Sequence, residues 1–141
     1  MARIESGVST VSGFGEFAGK KYLNLESYRK NGTAVRTPVW FAADPSTNLD
    51  SPDSKLYIYT TGDSGKVKRI RNNGRVKIAP CNARGGLLGE WVEAQAEIVT
   101  DNEAAHGMSL LNKKYMPWKQ LLNFFAMFRP RERVVFLIRP A

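Results

Sequence analysis

Thr60-Thr-Gly-Asp-Ser-Gly-Lys-Val-Lys-Arg-Ile-Arg-Asn-Asn73 is the stretch of this chain best equipped to do chemistry. It follows a short β-rich run, Lys55-Leu-Tyr-Ile-Tyr-Thr60, breaks at Gly62-Asp-Ser-Gly65, and resumes with Val67 and Ile70 at helical spacing. A strand, a small polar turn and a helix start together make a geometry that collects an anion. The first turn of a helix has backbone N–H groups without intrahelical partners, and the macrodipole adds partial positive charge there. Thr61 and Ser64 add hydroxyl donors, and Lys66 adds a full charge on the first turn. The expectation is a turn that holds the phosphate of a bound cofactor.

The surroundings of that turn are basic. Between Ser64 and Gly89 stand Lys66, Lys68, Arg69, Arg71, Arg75, Lys77 and Arg84, with no acidic residue among them, in a chain of net charge +8. Such a run suits a solvated face, an anionic small molecule or nucleic acid. The 141 residues suffice for one domain with its own core, and 43% hydrophobic with 24% charged residues is an ordinary globular composition. The apolar runs 124–128 and 134–138 are too short to span a bilayer. No signal-peptide core is read after Met1, and with a single cysteine a reducing, cytoplasmic location is expected. One cysteine, Cys81, excludes an internal disulfide, and with one histidine, His106, a zinc site is not expected.

The elements that must position the turn follow from periodicity. Residues 1–20 are Gly- and Ser-rich and are expected to be a flexible segment ahead of a single domain, 21–141. Gly13-Phe-Gly-Glu-Phe-Ala18 spells a dinucleotide fingerprint but leads into a strand instead of a helix, so it is set aside and its glycines are read as flexible. Tyr22–Arg29 alternates, Asn31-Gly32 is a hairpin turn, and Thr33–Phe41 returns with Val35, Thr37, Val39 and Phe41 on one face and Ala34, Arg36, Pro38 and Trp40 on the other. Pro38 removes a ladder hydrogen bond. A protected edge strand and a strand peeled open to offer backbone groups to a ligand fit it equally.

Ala43–Ser54 reads as a long exposed loop. Leu56–Thr60 is a strand, Asn73-Gly74 a helix C-cap, Arg75–Cys81 a strand with Cys81 a small buried residue, and Trp91–Val99 another strand. Asp101 reads as the N-cap of a helix to about Tyr115, with His106 exposed and idle on its polar side. Pro117 starts a further helix whose stripe, Trp118 to Phe128, is wide enough to contribute to a dimer contact. Val134–Ile138 suits a strand buried on both faces. The sum is about six mostly antiparallel strands with peripheral helices, a small barrel or strongly coiled sheet.

Tyr22-Leu-Asn-Leu-Glu-Ser-Tyr-Arg-Lys-Asn-Gly32, Arg36-Thr-Pro-Val-Trp40, Asp63-Ser-Gly-Lys-Val-Lys-Arg-Ile-Arg-Asn-Asn73 and Val92-Glu-Ala-Gln-Ala96 together resemble the pyridoxamine 5'-phosphate oxidase-like split-barrel superfamily, closest to its small branch of F420-dependent and FMN-binding proteins. The resemblance covers roughly residues 20–140. It implies a six-stranded antiparallel split β-barrel of the FMN-binding type, α+β in class, forming a homodimer with FMN or F420 in clefts at the interface. It implies that Arg36, Thr37, Pro38, Val39 and Trp40 lie along the cofactor ring. It further implies that Tyr59, Thr60, Thr61, Ser64, Gly65 and Lys66 hold the phosphate end, with Lys68 and Arg69 assisting. The activity implied is an oxidoreductase passing hydride to a small organic molecule, with no separate catalytic side chain and no metal. The rival readings are a flavin or haem carrier without turnover and a basic nucleic-acid-binding module using Tyr57, Tyr59 and Trp91 for stacking.

Overall fold

The computed structural model describes residues 13–61, 64–115 and 133–141; the helix expected from Pro117 lies outside them. Seven antiparallel strands form one sheet. In chain order they are β1 (Tyr22–Tyr28), β2 (Ala34–Trp40), β3 (Ala42–Ala43), β4 (Leu56–Thr61), β5 (Arg75–Cys81), β6 (Val92–Val99) and β7 (Arg133–Pro140). Helix α1 (Gly65–Asn72) lies between β4 and β5, and α2 (Asp101–Lys114) between β6 and β7. The sheet order is β2-β1-β5-β6-β7-β4-β3.

The closure of the barrel follows from that order. β2 and β3 are the two ends of the sheet, yet a single residue, Phe41, separates them along the chain. The strand that pairs with β1 up to Tyr22↔Trp40 therefore turns at Phe41 and pairs with β4 through Ala42↔Tyr57. This two-residue β3 is the seventh strand, against six expected. It is too short to carry a periodicity of its own.

Elsewhere the alternation is honoured. Leu56 and Ile58 of β4 face the interior with Leu23, Leu25, Val76, Ile78, Phe136 and Ile138, while Tyr57 turns to the outer layer under α2 with Leu111, Val135 and Leu137. Gly107 lets α2 approach, since a Cβ there would stand 2.7 Å from Tyr57 Cδ1. β7 faces the barrel interior with Phe136 and Ile138 and α2 with Val135 and Leu137, which explains why Val135–Ile138 are all buried. β2 is a terminal strand, so Pro38 occupies an edge.

Several local expectations are corrected. At the β1–β2 hairpin only Gly32 has positive φ (88°), and the Arg29 carbonyl accepts from Gly32 N at 2.8 Å. This is a type I turn completed by a left-handed glycine, not a two-residue turn with two positive φ angles. Asn73 caps α1 in extended backbone, and Gly74 serves close approach: its carbonyl accepts from Ala96 N at 2.7 Å, and a Cβ would meet Ala96 O at the same distance. Thr100, not Asp101, is the N-cap of α2; Asp101 is the first helical residue, with φ 53°.

The largest correction concerns residues 13–20, expected to be loose. Gly15–Phe17 is a 3-10 turn that drives Phe14 and Phe17 into the core, at 0% and 1% exposure. Phe14 N donates to Leu49 O at 2.6 Å, Gly13 presses so closely on the Leu49 and Asp50 backbone that no Cβ fits, and Gly15 lies against the Asp50 carboxylate. The glycines are there for contact, not for flexibility. The 44–55 loop in turn is a chain of short turns anchored to this segment, with Asp44 and Ser54 buried within it.

Candidate functional site

Ser64 is the N-cap of α1, accepting from Val67 N at 3.4 Å, and Thr60 Oγ1 donates to Ser64 Oγ at 3.1 Å. The strand end and the helix start are thus tied before any ligand arrives. Val67 and Ile70 anchor α1 in the core, which holds the opposite side of the helix in place. Arg69 Nε donates to Ser27 Oγ at 2.7 Å on the last turn of β1. Its Nη1 curls back over the helix start, 2.7 Å from where a Gly65 Cβ would be, so this glycine makes room for the guanidinium.

Three positive features therefore converge on the corner: the free N–H groups of the first turn, half-buried Lys66 and the guanidinium of Arg69. Among the described residues neither cation has a carboxylate partner, and the first turn of α1 carries no acidic residue. Burial, and then the charge of Arg69, push the Lys66 ammonium below its ordinary range. Burial, followed by Arg29 at the β1–β2 turn, does the same to Arg69. Cations at a helix N-terminus oppose the macrodipole. An anion placed at this corner would be stabilised by both the cations and the helix N-terminus.

β2 distributes the other expected residues over two faces. Thr37 and Val39 are half-buried on the inner side, and Thr37 Oγ1 is a buried hydroxyl without a partner. Arg36 points to the outer side, where Nε donates to Glu26 Oε1 at 2.7 Å and the guanidinium lies 4.8 Å from the Trp91 ring centroid. Tyr28 Oη donates to the other oxygen of Glu26 at 2.5 Å. Burial works against ionisation of Glu26, and these two hydrogen bonds outweigh it, holding the carboxyl below its ordinary range. Arg36 is thereby engaged by its own chain.

Pro38 is exposed, and Trp40 stacks on Tyr115 with centroids 4.7 Å apart. Trp40 and Tyr59 both pack against the outer cluster beneath α2, and the Arg133 guanidinium lies 5.5 Å from the Tyr59 ring centroid. Thr60 follows Tyr59 on the strand and, by alternation, faces inward. Lys68 is exposed. Thr60, Ser64, Gly65, Lys66 and Arg69 form one corner; Arg36, Trp40 and Tyr59 belong to other faces. Reasoning from sequence missed Ser27, Arg29 and Tyr115, because only strand pairing and helix docking bring them to these places.

His106 is exposed, as expected, but not idle. Its Nε2 lies 3.2 Å from Asp44 Oδ2, and its ring stands edge-on to Tyr57. Burial again opposes ionisation of Asp44, and hydrogen bonds from Ser46 N and Oγ and from His106 overcome it, so the carboxyl lies below its ordinary range. A depressed folded value stabilises the fold above the ordinary carboxylate range and loses that contribution as pH falls through the lowered value. Acidification below about pH 4 should therefore lower the urea midpoint of the wild type more steeply than that of Asp44→Asn. Equal acid limbs would remove Asp44 from the account. Cys81 is buried, and burial pushes its thiol up, as suits a small core residue.

A cavity of about 430 Å³ lies away from this corner, lined by the 13–17 turn, Asp50 and Val92. No helix among the described residues is long and apolar enough to cross a membrane.

An antiparallel barrel whose first hairpin turns the corner to close on β4, with a short helix inserted after that strand, is a split β-barrel. The chain belongs to the pyridoxamine 5'-phosphate oxidase family, whose sequence model matches residues 16–141. Solved structures agree on the fold. The heme storage protein HutZ from Vibrio cholerae aligns with a TM-score of 0.64 at 11% identity, over 90% of this chain and 87% of that one. The conserved hypothetical protein Rv2991 from Mycobacterium tuberculosis aligns with a TM-score of 0.63 at 19% identity, over 95% and 84%. An F420 reductase aligns with a TM-score of 0.55 at 20% identity, over 94% and 96%. No curated protein matches the chain.

Proposed function

We propose that this protein is a flavin-type oxidoreductase that binds FMN or coenzyme F420 and reduces or oxidises a small organic molecule. The observation that carries the reading is the corner of Ser64, Lys66 and Arg69, where cations crowd a helix N-terminus without a carboxylate among the described residues. Both cofactors carry a phosphate on a ribityl chain, and the corner fits that group. Thr60 and Ser64 would orient it, Lys66 and Arg69 would neutralise it, and the unpartnered Thr37 hydroxyl is suited to a polar edge of the ring system. The bound group supplies hydride transfer; the protein supplies position, hydrogen bonds and exclusion of water. Family membership and the fold likeness to an F420 reductase support this reading.

Fluorescence titration of the purified protein with FMN and with F420, side by side, is the direct test. Saturable binding of one is expected, and binding of neither would end the proposal. A carrier without turnover would bind but leave the reduced cofactor unoxidised by every acceptor offered.

The reading includes a homodimer. Leu87 and Leu88, in the loop between β5 and β6, are 49% and 57% exposed, an unusual placement for two large apolar side chains. They are proposed as part of the contact. Sedimentation should report a dimer for the wild type and a weakening of about tenfold or more for Leu88→Glu. A wild-type monomer would remove the interface from the proposal.

A further inference from the structure

The end of α2 meets the chain where β2 leaves β1 for β4. Tyr22↔Trp40 is the last pair of the β1–β2 ladder, so Lys21 and Phe41 would be the next. They do not pair with each other. The Tyr115 hydroxyl takes the place of that step: it accepts from Phe41 N at 3.0 Å and lies 2.5 Å from Lys21 O and 2.7 Å from Phe41 O. A hydroxyl has one proton to give. Lys114 Nζ donates to Phe41 O at 2.8 Å, which leaves the tyrosine proton for Lys21 O, so Phe41 N, Phe41 O and Lys21 O each have a partner. The same ammonium lies 3.6 Å from the Phe41 ring centroid, and Trp40 stacks on the Tyr115 ring.

We infer that Lys114 and Tyr115 are positioning residues for the cofactor ring, acting through Phe41 and Trp40 to set the course of β2, the strand whose unpartnered Thr37 hydroxyl is suited to the ring edge. This rests on the cofactor reading above. The phosphate corner is built from α1 and the ends of β1 and β4, whereas the Lys114–Tyr115 contacts fall at the opposite end of β2, beyond Trp40. Disturbing the split should therefore change recognition of the ring and leave recognition of the phosphate intact.

The test compares FMN with riboflavin, or F420 with its unphosphorylated deazariboflavin, by fluorescence titration of the full chain. Tyr115→Phe should weaken the phosphorylated and unphosphorylated members equally, on the order of tenfold. Lys66→Ala should weaken only the phosphorylated one. Lys114→Met should reproduce the tyrosine pattern in smaller degree, and Lys114→Arg, which keeps a donor for Phe41 O, should restore it. Should Tyr115→Phe fail to fold, the lysine pair decides alone.

A lowered melting temperature with both affinities unchanged would make the role merely structural and overturn the inference. A loss confined to the phosphorylated ligand would overturn it as well. Wild-type protein that binds none of the four ligands overturns the cofactor reading, and this inference with it.

Discussion

Lys66→Ala should lose roughly a hundredfold in affinity for the phosphorylated cofactor while its urea midpoint stays put or rises. The size of the loss follows from removing a hydrogen-bonded charge from a partly desolvated anion site, worth about 1.5–3 kcal/mol. The sign on stability follows from the free protein. There the ammonium is disfavoured first by burial and then by Arg69, and no carboxylate among the described residues compensates it. Removing it relieves a repulsion, so binding and stability move in opposite directions, as is common where a site is built for a ligand.

The pH dependence has a definite sign. The Lys66 proton is held below the ordinary lysine range when the site is empty and is favoured once a phosphate is present, so cofactor affinity should fall with rising pH before ordinary lysines titrate. Titrations across the alkaline range, with Lys66→Ala as the pH-insensitive control, read this directly. Parallel loss of affinity and stability in the variant would make Lys66 a structural residue and withdraw the phosphate from this corner.

Phe14→Ala and Phe17→Ala should each cost about 3–5 kcal/mol of stability, the range for emptying an aromatic site in a packed core. Both side chains are essentially without solvent contact, and they pack edge-to-face in series, Phe14 on Phe17 at 5.8 Å and Phe17 on Phe41 at 5.8 Å. The series runs from a segment that reads as loose to the residue at which β2 turns into β3. Urea denaturation measures the cost, and a change below about 1 kcal/mol would mean that the turn is dispensable. Gly13→Ala offers a second reading of the same contact, because its Cβ would meet the Asp50 backbone at 2.5 Å and no flexible side chain can yield there.

Much of the fold is legible in single residues. Alternation in 22–28 and 92–99, the continuous apolar run in 134–138 and Ser64 ahead of an amphipathic turn all concern a residue and its near neighbours in the chain. Local geometry decides such features. The nearness of Thr60, Ser64, Lys66 and Arg69 was legible for the same reason: they fall within ten residues, and one strand end with one helix start suffices to gather them. The failures are of one kind. Nothing near Arg36 in the chain announces Glu26, which β1 places directly across from it, and β3 is invisible because two alanines acquire strand geometry only from β4. His106 reads as idle until the 44–55 loop brings Asp44 to α2.

From the sequence alone come the elements, their antiparallel bias, the basic turn and the family resemblance, because periodicity, capping and charge are properties of neighbouring residues. Tertiary structure decided which cations have no carboxylate partner among the described residues, which glycines make contact and where the barrel splits. Those outcomes depend on groups tens of residues apart, such as Tyr115 and Lys21, whose meeting is settled by strand order and packing rather than by any local pattern.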